Sequence, residues 1–214
     1  MPITDAFTGT NGTGIEAYSS SWAYMAGGTT NLQIQSNALA VAAVTVEAGA
    51  RRTETGFPDD QYAQVTAVIA ADDEPFVGVA VRCQAAGSGD YYGFYCKDSA
   101  SQLFEFDGTT WTQLGLNGAG VNNTQTIRLT VAGTTLTPAV AGSTQSPPGA
   151  QTDATYSSGA PGVSGFNDGS PTTATRVDDF ECSDVAGAAE AIRILFAMPM
   201  AGTGGGRHGG SRVH

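Results

Sequence analysis

Residues 57–96 hold three runs in which apolar side chains alternate with polar or small ones. In Gln61–Ala70, Ala63, Val65, Ala67 and Ile69 alternate with Tyr62, Gln64 and Thr66. In Phe76–Cys83, Val77, Val79, Val81 and Cys83 alternate with Gly78, Ala80 and Arg82. In Tyr91–Cys96, Tyr92, Phe94 and Cys96 are opposed by Tyr91, Gly93 and Tyr95. A period of two sends successive side chains to opposite faces of a strand, and Val, Ile, Tyr and Phe suit a pleated, half-buried surface. Gln84–Asp90, with two glycines and a serine, reads as a hairpin loop. The three runs are expected to be neighbouring antiparallel strands in the middle of one sheet, and nothing in them has the pattern of a catalytic site.

The rest of the chain follows the same pattern. Leu32, Ile34 and Leu39 flank a Ser36-Asn37 turn, and Ala40–Val46 is a further short strand. Glu47–Thr55 reads as polar, with Arg51 and Arg52 exposed. Asp107-Gly108 between Gln102–Phe106 and Thr110–Leu114 is a hairpin signal. Thr126–Val131 alternates with Ile127, Leu129 and Val131 inward, and Thr135–Val140, Tyr156–Phe166 and Thr173–Cys182 complete the strands. No 10–15-residue helical period precedes residue 186. Many short strands at close spacing imply a two-sheet antiparallel sandwich or a barrel, and the sandwich is the expected architecture.

Charge and cysteine content narrow the function. Only 14% of the 214 residues are charged, 29 are glycine, and the formal net charge is −11. Residues 186–214 hold Arg193, Arg207 and Arg212 against Glu190, a balance of +2, so residues 1–185 carry −13. An acidic body with a single lysine, Lys97, is a poor match for nucleic acid, whose phosphates need Lys and Arg. No run approaches the ~20 apolar residues of a membrane-spanning helix. Residues 1–12 lack a basic region followed by an apolar core, so no signal peptide is expected there. Cys83, Cys96 and Cys182 are expected to be free buried thiols, which suits folding in a reducing cytoplasm.

Asp5-x-Phe7, Trp22, FPDDQYAQV, GVAVR, DYYGFY, the Phe104–Trp111 hairpin, IRLTVAG, GAPGV and VDDF follow one another over about residues 3–184. This series resembles the concanavalin A-like lectin/glucanase jelly roll, and more narrowly the laminin-G-like modules of tailed-phage structural proteins. The resemblance implies an all-β jelly-roll sandwich over 1–185 with a C-terminal extension over 186–214. It also implies that Asp5-Ala-Phe7 lies beside Asp179-Phe180, and that one sheet is concave and able to hold sugar.

Hydrolytic members of that superfamily carry two glutamates flanking an aspartate on one strand. Here Glu105-Phe106-Asp107 is the nearest approach and runs into a turn without the second glutamate. His208 and His214 both lie in the C-terminal tail, so the body lacks the histidine of a Ser-His-Asp or Cys-His arrangement. A non-enzymatic role is expected. The acidic clusters Asp59-Asp60, Asp72-Asp73-Glu74 and Asp178-Asp179 are expected to face water or cap turn amides; the resemblance allows calcium at a loop instead, with Asp5, Asp178 and Asp179 as its preferred ligands. Pyranose C–H faces stack on aromatic rings, and Arg82, Tyr91, Tyr95 and Trp111 are the candidate carbohydrate-binding residues, the alternative being that the two tryptophans and half of the tyrosines pack in the core or its rim.

The tail is the least ordinary segment. Ala188–Met198 is strongly apolar, Pro199 stops it, and a Gly/Arg-rich end follows. A finished sandwich has little use for an exposed apolar arm. Ile192, Ile194, Leu195, Phe196, Met198 and Met200 are therefore expected to dock on a partner, with packing on the chain's own domain as the alternative. Together these readings predict a virion structural protein of a tailed phage, a capsid decoration (cement) or tail-associated protein assembled in the host cytoplasm. It would contact other virion proteins and itself, with weak binding of host-surface glycan. The alternatives are a soluble or secreted (extracellular) lectin-like carbohydrate-binding module and, last, a glycoside hydrolase.

Overall fold

The structure, a computed structural model, describes residues 1–26, 31–42, 46–69, 75–167 and 175–185. The acidic run Asp72-Asp73-Glu74 and the tail residues Ile192, Ile194, Leu195, Phe196, Met198 and Met200 lie outside the described residues.

The elements in chain order are β1 (Ile3–Asp5), α1 (Ile15–Tyr18), β2 (Trp22–Ala26), β3 (Leu32–Ile34), β4 (Leu39–Val41), β5 (Val46–Arg52), β6 (Gln61–Ile69), β7 (Phe76–Cys83), β8 (Asp90–Cys96), β9 (Ser101–Asp107), β10 (Trp111–Gln113), β11 (Thr126–Ala132), β12 (Thr135–Val140), β13 (Ser143–Thr144), β14 (Gln151–Thr152), β15 (Ala160–Asn167) and β16 (Thr175–Asp184). They form two antiparallel sheets. One runs β13-β12-β11-β6-β16-β4-β3, with β1 added on β16 and β14 on β12. The other runs β10-β9-β8-β7-β15-β5-β2. Asp5 sits opposite Phe180, so β1 pairs with β16, the last strand among the described residues.

The alternation read from the sequence determines which side chains meet between the sheets. Val77, Val79 and Val81 of β7, Tyr92, Phe94 and Cys96 of β8, and Ile127, Leu129 and Val131 of β11 share one buried cluster with Ala63, Val65 and Ala67 of β6. β7 and β8 are neighbours, with Val79 opposite Phe94. β6 is not their neighbour: it pairs with β11 and β16 in the other sheet. A strand with one apolar face can bury it beside another strand or across the core from one, and the period of two is the same in both cases.

Two local irregularities redirect side chains. The register of β7 against β15 shifts between Ala160 and Gly162, and Arg82 takes a positive φ of 51°. This bulge makes Arg82 the extra residue, so Cys83 joins the outer face of the seven-stranded sheet while Val81 stays inside. Cys83 and Cys96 therefore lie on opposite faces, and all three cysteines are free and buried. The other departure from expectation is β5. The segment expected to be polar is a strand, with Ala48 and Ala50 in the core and both Glu47 and Arg52 5% exposed.

Candidate functional site

The outer face of the seven-stranded sheet carries a second apolar cluster. Met25, Ala26, Ala80, Cys83, Tyr91, Tyr95, Phe104 and Phe106 are buried there, with Phe76 and Phe166 packed against them. A sheet face turned away from the core normally meets water and carries polar residues. Here it carries an aromatic layer whose rings contact one another: Tyr95 lies 4.5 Å from Phe104 and 5.1 Å from Phe76 between centroids, and Tyr91 lies 5.7 Å from Phe106.

Trp111 closes this layer. It stands on β10, an edge strand whose three residues are all exposed, and the residue as a whole is 43% exposed. It packs edge-on against Phe166 at 5.3 Å and tilts over Phe106 at 5.6 Å. Its indole Nε1–H donates to Glu47 Oε2 at 3.2 Å. β10 and β5 are five inter-strand steps apart in the sheet order. At about 4.8 Å per step, a flat sheet would hold them ~24 Å apart, beyond the reach of an indole and a carboxylate together. The contact exists because the sheet rolls up toward this face, making it a trough.

Local sequence makes room for the rings. A Cβ added at Gly93 would fall 2.2 Å from the Phe104 ring, so the bare backbone of β8 is the surface on which that ring lies. At Gly49 an added Cβ would meet the Tyr91 ring and hydroxyl at 3.1 Å, and Tyr91 passes this point to reach Glu47.

Glu47 is the polar centre of the trough. Tyr91 Oη–H donates to its Oε1 and Trp111 to its Oε2. Burial raises its carboxyl to about 8, although both hydrogen bonds pull the other way. Burial, reinforced by the nearby Glu47, also pushes the Tyr91 and Tyr95 phenols upward, so both keep their protons at neutral pH.

Two cavities open on either side of Trp111. The first, about 350 Å³, is lined by Phe76, Tyr95, Gln102, Phe104, Trp111, Gln113 and Phe166. The second, about 470 Å³, has Glu47, Ser88, Thr109, Tyr24, Phe106 and Trp111 among its lining. Both volumes suit a small ligand.

The expected carbohydrate residues separate accordingly. Tyr95 and Trp111 come together at the first cavity. Tyr91 lies beneath the layer, fully buried, with its hydroxyl committed to Glu47. Arg82 is elsewhere. The bulge turns it to the end of the sandwich, where its guanidinium donates to the backbone carbonyls of Asp59 at 3.1 Å, Tyr156 at 2.8 Å and Gly133 at 2.6 Å. It is 2% exposed and ties three loops together, so placing it on the sugar face is corrected by the bulge.

The acidic residues expected to hold calcium do not form a calcium-type donor set. Asp5 Oδ1 accepts from Tyr18 Oη at 2.6 Å and Phe7 N at 3.0 Å, and Oδ2 from Trp22 Nε1 at 2.9 Å and Arg52 Nη1 at 3.4 Å. Calcium takes six to eight oxygens, and Asp5 faces four N–H and O–H donors, one of them cationic. Asp178 Oδ1 accepts from the Asp179 amide at 2.8 Å, and Asp179 sits at the β16 bulge with φ of 49°. Among the described residues, no three His, Cys, Asp or Glu side chains converge as metal ligands. Asp5 instead anchors the pairing of β1, Trp22 and Arg52. Asp107, from the Glu105-Phe106-Asp107 run, accepts the Thr109 and Thr110 amides of its turn.

The sequence alone does not mark Glu47, Phe76, Phe104, Phe106 and Phe166 as site residues. The available signal was Glu47 itself, a lone acid inside the apolar run AVAAVTVEAGA.

Two antiparallel sheets packed face to face, one of nine strands and one of seven, with β1 and β16 paired and one sheet rolled into a trough, make this a concanavalin A-like jelly roll. No protein-family model and no curated protein matches the sequence. Among solved structures, the chain is similar to the exoplasmic/lumenal domain of VIP36 in its Ca²⁺/Man2-bound form, with a TM-score of 0.55 and 8% identity over 86% of this chain and 87% of that one. It is also similar to the carbohydrate recognition domain of Emp46p in its metal-free form, with a TM-score of 0.52 and 11% identity over 77% of this chain and 88% of that one. At such identities the likeness is one of fold.

Proposed function

We propose that this chain is a non-catalytic carbohydrate-binding module whose aromatic trough holds sugar against Trp111. The observation that carries this reading is Trp111, a residue 43% exposed whose ring is fixed by Glu47 and Phe166 between two ligand-sized cavities. A pyranose presents a C–H face that packs on such a ring, while its hydroxyls need the few polar groups around the rim. Likeness in fold to VIP36 and to the Emp46p carbohydrate recognition domain supports the same reading. Among the described residues, the Glu105-Phe106-Asp107 run offers no acid and nucleophile free for glycoside hydrolysis, since Asp107 is held by its own turn. Glycan-array screening of the full chain followed by calorimetry tests the proposal: binding is expected and is lost in Trp111→Ala, whereas binding unaffected by that change overturns it.

The apolar sequence of 186–214 favours a second reading, in which the module is carried on a virion as a decoration or tail-associated protein anchored by Ile192–Met200. Removal of 186–214 would then abolish assembly and leave sugar binding intact. On either reading the trough would work outside the cell, on a virion or as an extracellular module.

A further inference from the structure

The first cavity is lined by a hydroxyl that no described side chain or backbone group engages. Tyr95 is 4% exposed and packed between Phe76 and Phe104, and its hydroxyl makes no hydrogen bond among the described residues, although it lines the cavity. The other buried tyrosine of this face, Tyr91, donates to Glu47. The Tyr95 hydroxyl is not among the polar atoms shut off from solvent without a partner, so water reaches it through the cavity, and a ligand atom that replaces this water keeps the hydrogen bond. The remaining polar lining is two amides. Gln113 Nε2 donates to Gly115 O at 3.1 Å and Asn117 Oδ1 at 2.8 Å, which orients its Oε1 as the free acceptor. Gln102 lies on β9 directly opposite Tyr95. The rest is aromatic: Phe76, Phe104, Phe166 and Trp111. Among the described residues, no charged side chain lines the cavity, and Lys97 Nζ stands 5.0 Å from the centroid of the lining Phe76 ring.

Resting on the carbohydrate reading above, we infer that this cavity is a subsite for the acetamido group of a neutral N-acetylated amino sugar, recognised through the Tyr95 hydroxyl. A lone hydroxyl entering the cavity could bond Tyr95 or a glutamine but would leave the apolar space between the rings unfilled. An acetamido group matches what is present. Its carbonyl accepts from Tyr95 Oη–H, its N–H finds a glutamine carbonyl oxygen, and its methyl enters the space between the Phe rings. The sugar ring then lies against the exposed face of Trp111. Carboxylated sugars find no cation among the described lining residues, and the −13 of residues 1–185 disfavours them.

The test is calorimetry on the full chain with the methyl glycosides of N-acetylglucosamine and N-acetylgalactosamine against those of glucose and galactose. The expected result is a preference of about tenfold for the acetamido member of a pair, the scale of one additional hydrogen bond. In Tyr95→Phe, which removes only the unpartnered hydroxyl, the preference is expected to collapse to within about twofold while the unsubstituted sugars bind as before. Gln102→Ala, at the half-exposed rim, provides a second variant that leaves the aromatic layer in place and should narrow the same preference. Equal affinities within each pair, or a preference unchanged in Tyr95→Phe, overturn this inference and leave the carbohydrate reading standing. If no neutral or charged glycan binds at all, both fall together.

Discussion

Trp111 and Glu47 meet at 3.2 Å although five inter-strand steps separate their strands. One hydrogen bond thus records the curvature of the whole seven-stranded sheet and fixes the exposed ring at the trough. Because Glu47 also accepts from Tyr91, it joins the edge strand β10, the central strand β8 and the far strand β5 through side chains alone. The trough's shape and its one buried carboxyl are therefore coupled.

That coupling gives the stability a specific pH dependence. Glu47 has a folded-state carboxyl raised to about 8 against an ordinary value of 4.5. Between those values the folded state holds a proton that the unfolded chain releases. The contribution is thus fully present below about 4.5 and is lost as pH rises through about 8, on the order of a few kcal/mol. Urea midpoints measured from pH 4.5 to 9 should fall with rising pH in the wild type and fall markedly less in Glu47→Gln. Equal slopes would show that the carboxyl is not desolvated.

Gly93 supplies the floor under Phe104. Gly93→Ala would place a methyl 2.2 Å from that ring, in a face already filled with rings. The expected cost is ~1–3 kcal/mol from overpacking, together with weakened sugar binding as Phe104 is displaced into the cavity. Chemical denaturation and calorimetry on the same variant check both effects; unchanged stability would mean that the ring does not lie on β8.

The bulge at Arg82 divides the candidate sugar-binding residues into two groups, and the division can be tested. Arg82→Ala removes a guanidinium bonded to three loop carbonyls and should cost ~2–4 kcal/mol. Glycan affinity should remain within about twofold, since Arg82 lines neither trough cavity. A variant of normal stability that had lost its glycan would put Arg82 back on the sugar face.

How much of this could be read from the sequence depends on what period-two alternation encodes. It distinguishes the two faces of β7, β8 and β11 correctly, because inward Val, Phe and Ile residues recur without interruption. Ser36-Asn37 and Asp107-Gly108 mark their turns because those positions need positive φ, which Ser36 and Asn37 both adopt at 54° and Gly108 at 85°. Alternation cannot say which sheet a strand joins, so β6 was assigned beside β7 when it lies across the core from it. Nor can it foresee a one-residue bulge, which moved Arg82 and Cys83 off their expected faces. The site was partly legible: Tyr95 and Trp111 were found as outward aromatics. Glu47 was missed because an acid flanked by small residues looks like the start of a polar loop, and only the sheet order shows that Tyr91 and Trp111 converge on it.

Asp5 offers a check on the acidic end of the molecule. Its carboxylate receives Tyr18, Trp22, Arg52 and the Phe7 amide, so Asp5→Ala strands buried donors and should cost ~2–4 kcal/mol. Thermal unfolding of the wild type should be the same with calcium and with EDTA. A calcium-dependent rise in Tm abolished by Asp5→Ala would restore the metal assignment.

The central claim is that ligand sits on Trp111, and the two tryptophans allow a direct test. Trp111 is 43% exposed at the trough, whereas Trp22 is 2% exposed and bonded to Asp5 in the core. In a two-dimensional ¹H–¹⁵N spectrum each contributes one indole N–H resonance. Titration with an N-acetylhexosamine glycoside, or with any glycan that binds on the array, is expected to shift the Trp111 resonance in a saturable way and leave that of Trp22 in place. A bound glycan that left the Trp111 indole unmoved would contradict the account.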